Sequence, residues 1–313
     1  MSPKALVYFE KKFVPLEDAK VGVMTHALHY GTAIFEGIRG NWNEEKKKLY
    51  IFRPREHYER FLQGCRILKL DIPHSADDLC RITVELVEKC GYQQDLYIRP
   101  LAYKSEQKVA NLKLHELASD FTLIAVPFGA YMNLKGAARC CTSSWRRMED
   151  TMIPPRVKIS GLYVNSIMAK TEAVMAGFDE AIMLNQDGNI SEGTGENLFM
   201  VTKDKLITPP SWDNILMGIT RDTVIQLATQ ELGIEVQERS IKRSELYLAD
   251  EIFLTGTAAH LTPVGHLDNR PIGAGEVGPI SRKLMDMYAN LIKGKNPKYL
   301  HWCTAASPGL VTA

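Results

Sequence analysis

Two hairpin signatures in the second half of the chain commit it to strands that pair with near neighbours. Ala181–Leu184 turns at Asn185-Gln186-Asp187-Gly188, and Asn197–Val201 turns at Lys203-Asp204-Lys205. Short β-favouring runs closed by Gly, Asn and Asp carry a mechanism for reversing the chain. A third hairpin is expected from Ala5–Phe9 and Lys12–Val14. Further strands are expected at Leu49–Phe52, Leu96–Tyr103, Phe121–Pro127, Arg139–Ser144, Ile252–Thr255 and Leu261–Val264. Helical patterns interleave with these. Glu56–Leu70 places Tyr58, Phe61, Leu62, Cys65 and Leu68 on one face. Ser75 with Asp78 forms a capping box for a helix that buries Leu79, Ile82, Leu86 and Val87 and stops at Gly91. Helices also follow over Val164–Ala176, from a Thr220 N-cap to Leu232, and from Pro279 to Ile292. Strands mixed with helices and many hairpins predict an α+β fold with antiparallel or mixed sheets.

A chain of 313 residues exceeds what one core usually fills. The run 129–138 is richer in glycine and small residues and marks the expected boundary between a smaller domain at 1–128 and a larger one at 139–313. A net charge of +1 argues against nucleic-acid binding, and the basic run Lys46-Lys47-Lys48 reads as a solvated turn. No stretch approaches the roughly 18 apolar residues that span a bilayer, and the opening residues do not read as a signal peptide. The six cysteines form neither a C-x-x-C pair nor a zinc pattern, which fits reduced thiols in the cytoplasm. His26 and His29 have no acidic or cysteine ligand nearby, so no metal site is expected.

Three segments bear chemistry. The turn Glu192-Gly193-Thr194-Gly195-Glu196-Asn197 lacks the third glycine of a dinucleotide fingerprint, but it sets two carboxylates beside glycines. Leu216-Met217-Gly218-Ile219-Thr220 leads into a helix, where backbone N–H groups either hold an anion or are simply capped by Thr220. Thr255-Gly256-Thr257-Ala258-Ala259 offers a similar cradle after a strand. Lys158 follows Pro154-Pro155 and precedes small residues and a helix, so it is constrained rather than free in solvent. The residues alone go no further than two anion cradles, a carboxylate-bearing turn and a constrained lysine.

These pieces occur together with His26-Ala27-Leu28-His29-Tyr30-Gly31-Thr32, Phe35-Glu36-Gly37-Ile38-Arg39, Tyr97-Ile98-Arg99-Pro100-Leu101, Ser191–Phe199, Gly218-Ile219-Thr220-Arg221-Asp222 and Gly256-Thr257-Ala258-Ala259. In that order they resemble branched-chain amino acid aminotransferases, of the fold-type IV class that uses pyridoxal 5'-phosphate. The likeness runs from about Ala5 to Ile292. It implies a two-domain fold and exchange of amino groups between leucine, isoleucine or valine and 2-oxoglutarate. Lys158 would then be the lysine that carries the cofactor and shuttles the proton, Glu192 the partner of the pyridine nitrogen, and Tyr163 the partner of the ring hydroxyl.

The resemblance also implies a phosphate held by Arg60, Thr257 and the start of the helix at Leu216, Gly218, Ile219 and Thr220. By itself Arg60 reads as a surface pair with Glu56, four residues earlier. Tyr97 and the amides of Thr257 and Ala258 would hold the substrate's α-carboxylate, and Arg99 the side-chain carboxylate of glutamate. Arg39 lies in the same substrate region, with Phe35, Tyr30, Phe128 and Tyr131 as apolar walls. Tyr30 would reach a partner subunit, making the protein a homodimer or higher oligomer. Phe128 stands where some relatives carry tryptophan. The charged loop Lys104–His115 lacks the glycine-rich form of many relatives, which bears on substrate breadth. D-amino acid or (R)-amine aminotransferases, aminodeoxychorismate lyases and a non-catalytic phosphate-binding protein are the alternatives.

Overall fold

The computed structural model describes residues 5–129 and 136–308. The chain divides into two compact units: Met1–Gly129 with Val157–Gly161 and Asn290–Ala313, and Ala130–Arg156 with Leu162–Ala289. The sequence division was contiguous, whereas these units exchange segments. The stretch that bears Lys158 belongs with the first unit although it lies beyond residue 138.

The first unit is built on an eight-stranded sheet of β1 (Leu6–Phe9), β2 (Lys12–Pro15), β3 (Ala33–Phe35), β4 (Ile38–Asn43), β5 (Lys48–Phe52), β6 (Leu96–Lys104), β7 (Ser119–Pro127) and a closing strand Cys303–Ala306. Its strands pair in antiparallel fashion. In β6 the alternation buries Leu96 and Ile98 and leaves Tyr97, Arg99 and Leu101 half-buried on the other face. A short helix α1 (His26–Tyr30) ends at Gly31.

Helix α2 (Pro54–Ile67) buries His57, Tyr58, Phe61, Gly64 and Cys65. Helix α3 (Ala76–Cys90) carries the expected capping box, with Ser75 Oγ accepting from the Asp78 N–H, and ends at Gly91 in the left-handed region. It buries Leu79, Ile82, Leu86 and Val87. Lys104, expected to open a charged loop, is instead buried at the end of β6. Its Nζ donates to the Lys69 carbonyl (2.6 Å), the Leu117 carbonyl (3.1 Å) and Ser119 Oγ (3.1 Å). Three acceptors offset the cost of burying an ammonium, so the residue pins both ends of the 105–118 segment.

The second unit holds a nine-stranded mixed sheet of β8 (Ala138–Arg146), β9 (Glu180–Leu184), β10 (Ile190–Gly193), β11 (Asn197–Thr202), β12 (Lys205–Thr208), β13 (Val236–Glu238), β14 (Glu251–Gly256), β15 (His260–Leu267) and β16 (Arg270–Pro271). Strand β8 runs parallel to both β9 and β15. The expected hairpins are β9–β10 and β11–β12, both antiparallel. Leu198, Met200, Ile252, Leu254 and Val264 share one apolar core.

The helices here are α4 (Tyr163–Met175), α5 (Ile219–Glu231), α6 (Arg243–Leu246) and α7 (Pro279–Ile292), the last continuing into the first unit. The N-cap of α5 is Gly218, not Thr220 as the sequence suggested, and no side chain caps the helix. Thr220 lies inside the first turn, its Oγ1 3.4 Å from Tyr288 Oη.

Arg221, the next residue, is fully buried. Its guanidinium donates to Thr208 Oγ1 (3.3 Å), the Pro209 carbonyl (2.9 Å) and Glu238 Oε2 (2.6 Å). Arg221→Met therefore strips buried acceptors of a donor, while half-exposed Glu238 recovers water. Unfolding stability is expected to fall by about 2–3 kcal/mol. A urea midpoint unchanged by the substitution would show that this network contributes nothing net.

Candidate active site

The register of the first sheet gathers the expected substrate residues. Arg39 pairs across from Tyr97, and Phe35 from Leu101, so Phe35, Arg39, Tyr97 and Arg99 project from one face. The Arg99 guanidinium lies 4.4 Å from the Phe35 ring centre and donates to Tyr97 Oη at 2.9 Å, leaving its buried Nε without an acceptor. Phe128 packs against Tyr97 with ring centres 5.1 Å apart, and the Arg39 guanidinium lies 5.0 Å from the Phe128 ring centre. Arg39 is buried, donates to the Gly129 carbonyl at 3.1 Å and lies 3.6 Å from the Asp95 carboxylate. Tyr30 lies apart on α1, with its ring 4.5 Å from His26 and its hydroxyl accepting from the Ala110 N–H. Tyr131 falls outside the described residues.

Lys158 is placed by the backbone on either side of it. Its carbonyl accepts from the Phe35 N–H at 3.1 Å, Ile159 bridges to Ile34, and the Gly161 N–H donates to the Gly31 carbonyl at 3.1 Å. Gly31 has φ +64°, and a Cβ there would lie 2.7 Å from the Gly161 Cα, so only glycine allows this approach. The Lys158 amine sits 5.8 Å from the Phe35 ring centre. Arg60 does not pair with Glu56, which instead binds Arg53 at 2.8 Å. Its partner is the buried carboxylate of Glu36, at 2.6 and 2.8 Å.

In the second unit the Glu192 carboxylate is buried. Oε1 meets Arg147 Nη2 at 2.7 Å, while Oε2 accepts from Asn197 Nδ2 and the Leu216 N–H, both at 3.0 Å. Asn197 also donates to the Leu216 carbonyl at 2.8 Å, tying the carboxylate turn to the segment before α5. The Gly256 turn, which continues into Thr257 and Ala258, abuts Gly195 and Glu196. Tyr163 opens α4. No group of three or more His, Cys, Asp or Glu side chains fit to hold a metal ion occurs among the described residues.

Residues 33–267 match the model of the amino-transferase class IV family. The chain belongs to that family. It is 50% identical over 297 residues, 95% of each chain, to a probable branched-chain-amino-acid aminotransferase of Aquifex aeolicus. Its fold is similar to the branched-chain aminotransferase of Thermoproteus uzoniensis with norvaline, at TM-score 0.92 and 45% identity over 96% of this chain and 99% of that one. It is also similar to the branched-chain amino acid aminotransferase of Thermobaculum terrenum in its PLP-form, at TM-score 0.92 and 37% identity, covering 97% of this chain and 99% of that one.

Taken unit by unit, the residue chemistry of this class IV aminotransferase fits a phosphorylated pyridine aldehyde: the first unit carries a half-buried amine, Lys158, and the second a buried carboxylate, Glu192, of the kind that holds a ring N–H. The first turn of α5, without a capping side chain, offers amides to an anion. A Cβ at Gly218 would overlap Asn197 Oδ1, so the backbone before this helix must be bare.

Three residues that order the site had no role in the sequence reading. Arg147 sits in the polar loop after β8, where nothing in the spacing separates it from exposed Arg146. Asn197 read only as the start of a hairpin. Glu36 did carry a signal, because a lone carboxylate within an apolar run needs a partner.

The second carboxylate of the glycine turn, Glu196, is buried beside Glu180, which Lys170 binds at 2.6 Å. Burial first, and the Glu180 charge second, push its pKa up to about 8. The folded protein thus keeps a proton on Glu196 that the unfolded chain releases near its ordinary value of 4.5. Stability is therefore lost as pH rises between these values. Glu196→Gln cannot ionise, so its melting temperature is expected to exceed the parent's at pH 8 and to converge with it near pH 5. The difference at pH 8 corresponds to about 2–4 kcal/mol. Parallel melting curves across this range would rule out a retained proton.

Proposed function

We infer that this class IV aminotransferase moves the amino group of leucine, isoleucine or valine to 2-oxoglutarate, yielding branched 2-oxo acids and L-glutamate, with pyridoxal 5'-phosphate as its cofactor. One observation supports the substrate class above all. The face built by Phe35, Tyr97 and Phe128 is apolar enough for a branched side chain, yet it stores an arginine, Arg99, folded against Phe35 with its Nε unmatched. The same pocket can then answer a second carboxylate, as alternate use of an apolar donor and glutamate requires.

When bound, the cofactor supplies an electron-withdrawing ring that stabilises negative charge at the substrate Cα. Lys158 Nζ takes that proton and returns it. Glu192 keeps the proton on the ring nitrogen, and Tyr163 Oη bonds the ring hydroxyl. Arg60, Thr257 and the amides of Ile219 and Thr220 hold the phosphate, with Leu216 and Gly218 shaping the approach. Thr257, Ala258 and Tyr97 hold the α-carboxylate, Arg39 serves the same substrate region, and Tyr30 reaches the site of a partner subunit.

A panel of amino donors with 2-oxoglutarate tests this reading: L-leucine, L-isoleucine and L-valine should each give glutamate. Activity on D-alanine with none on L-leucine would move the chain to the D-amino acid branch.

We also propose a homodimer or larger assembly, because Val23, Leu28 and Leu112, on and around α1, are 78%, 66% and 79% exposed. Apolar side chains gathered this way commonly meet a partner. Sedimentation as a monomer at micromolar concentration would refute it. No helix among the described residues is long and apolar enough to cross a membrane. We place the enzyme in the cytoplasm, with the functional division of the chain at 129–138.

A further inference from the structure

We propose that Glu36 is a positioning residue for the cofactor phosphate, acting only through Arg60. This rests on the assignment of Arg60 to the phosphate.

Glu36 lies between β3 and β4, its N–H donating to the Pro100 carbonyl at 3.1 Å. It is 1% exposed, and three donors converge on its carboxylate: Arg60 Nε at 2.6 Å, Arg60 Nη2 at 2.8 Å and His57 Nδ1 at 2.8 Å. Arg60 and His57 stand three residues apart on α2, so one helix face presents both. A fork of two parallel bonds fixes the plane of the guanidinium, which no single contact could do. It uses two of the five N–H groups and leaves the other three outside this pair.

The charges sharpen the choice between attraction and orientation. Burial alone would raise the Glu36 carboxyl, but Arg60 and the His57 hydrogen bond outweigh it and hold the group well below the usual carboxylate range. Burial pushes His57 down, and the charges of Arg60 and Lys158 act in the same direction. Near neutral pH the trio is one arginine cation, one carboxylate and one neutral imidazole whose proton sits on Nδ1. Its net charge is zero. Glu36 thus cancels the attraction Arg60 would exert on a phosphate at long range. What it supplies is direction: an arginine already set in one geometry spends no rotamer freedom on binding.

The two effects have opposite signs on substitution. If cancellation dominated, Glu36→Gln would tighten phosphate binding; if orientation dominates, it weakens it. The test titrates the full-length protein, freed of cofactor, with pyridoxal 5'-phosphate and with pyridoxal, which lacks the phosphate. Glu36→Gln and Arg60→Met are each expected to lower the affinity ratio of the first ligand to the second by about 10- to 100-fold, for Glu36 the size of loss seen when an outer partner that orients a metal ligand is removed. The double variant should be no weaker than Arg60→Met. Glu36→Asp, which keeps the charge but shortens the reach, should show a smaller loss and guards against misfolding of the glutamine form.

Two results would overturn the inference alone: a ratio unchanged or raised in Glu36→Gln while Arg60→Met lowers it, as equal loss of both ligands would give, or additive losses in the double variant. A ratio unchanged in Arg60→Met would instead remove the assignment of Arg60 to the phosphate.

Discussion

Lys158→Ala is expected to lower kcat for amino transfer by at least about 10⁴-fold while the protein still folds and melts cooperatively. Both halves follow from how the residue is held. Its segment is tied to the first unit by main-chain groups, through the Phe35 N–H, the Ile34–Ile159 bridge and the Gly31–Gly161 contact, and alanine keeps them all. The side chain itself is half-buried, with its amine beside the Phe35 ring, so water reaches the space that alanine opens. The substitution therefore removes chemistry and leaves the main-chain frame intact.

A positioned proton carrier contributes about 10²–10⁴-fold, and in the proposed assignment the same nitrogen is also the covalent anchor of the cofactor, so the combined loss is expected at or beyond the upper end. Small primary amines added to the variant should restore part of the rate, because they can carry the proton without the tether. Single-turnover kinetics with L-leucine, followed by visible absorption, measures this directly. A variant that retains a covalently attached chromophore after denaturation, or that turns over at the parent rate, would remove Lys158 from the reaction.

How much of this was legible in the chain depends on how local each signal is. Helix α3 could be bounded at both ends because its cap, Ser75 with Asp78, and its stop, Gly91, lie within a few residues of what they control. The face of β6 that carries Tyr97 and Arg99 was implicit in its period of two. Strand β4 was not legible as a strand, since buried Asn41 and Asn43 break the apolar pattern. Helix α1, at five residues, is too short to show a 3.6-residue period. The closing strand Cys303–Ala306 pairs with Leu49–Phe52, across most of the chain, and leaves no local trace.

The same rule governs the site. Glu56 and Arg60 have the spacing of a helix-surface pair, yet Arg60 turns to a carboxylate 24 residues away. Lys104 read as the start of a charged loop because its three acceptors, at residues 69, 117 and 119, lie far from it in sequence. Residue types named the chemistry, whereas partners distant in sequence decide which charges are buried.

Glu192→Gln is expected to fail in two separable ways. The carboxylate answers to Arg147, Asn197 and the Leu216 N–H, and both members of the Glu192–Arg147 pair are buried. Glutamine keeps an acceptor for some of these donors but leaves the arginine uncompensated. Breaking a buried pair from one side costs about 3–5 kcal/mol, and retention of one acceptor should bring the loss to the lower end. Independently, the neutral side chain no longer holds a proton on the ring nitrogen, and loss of such charge stabilisation lowers kcat by about 10²–10³-fold.

Coupling the change to Arg147→Met distinguishes the two. The double variant removes both buried charges and replaces the guanidinium by apolar volume, so the melting temperature should return most of the way to the parent value. Activity should not return, because no group then remains to hold the proton. If the double variant recovers activity along with stability, Glu192 is a structural partner of Arg147 and the acid–base role falls.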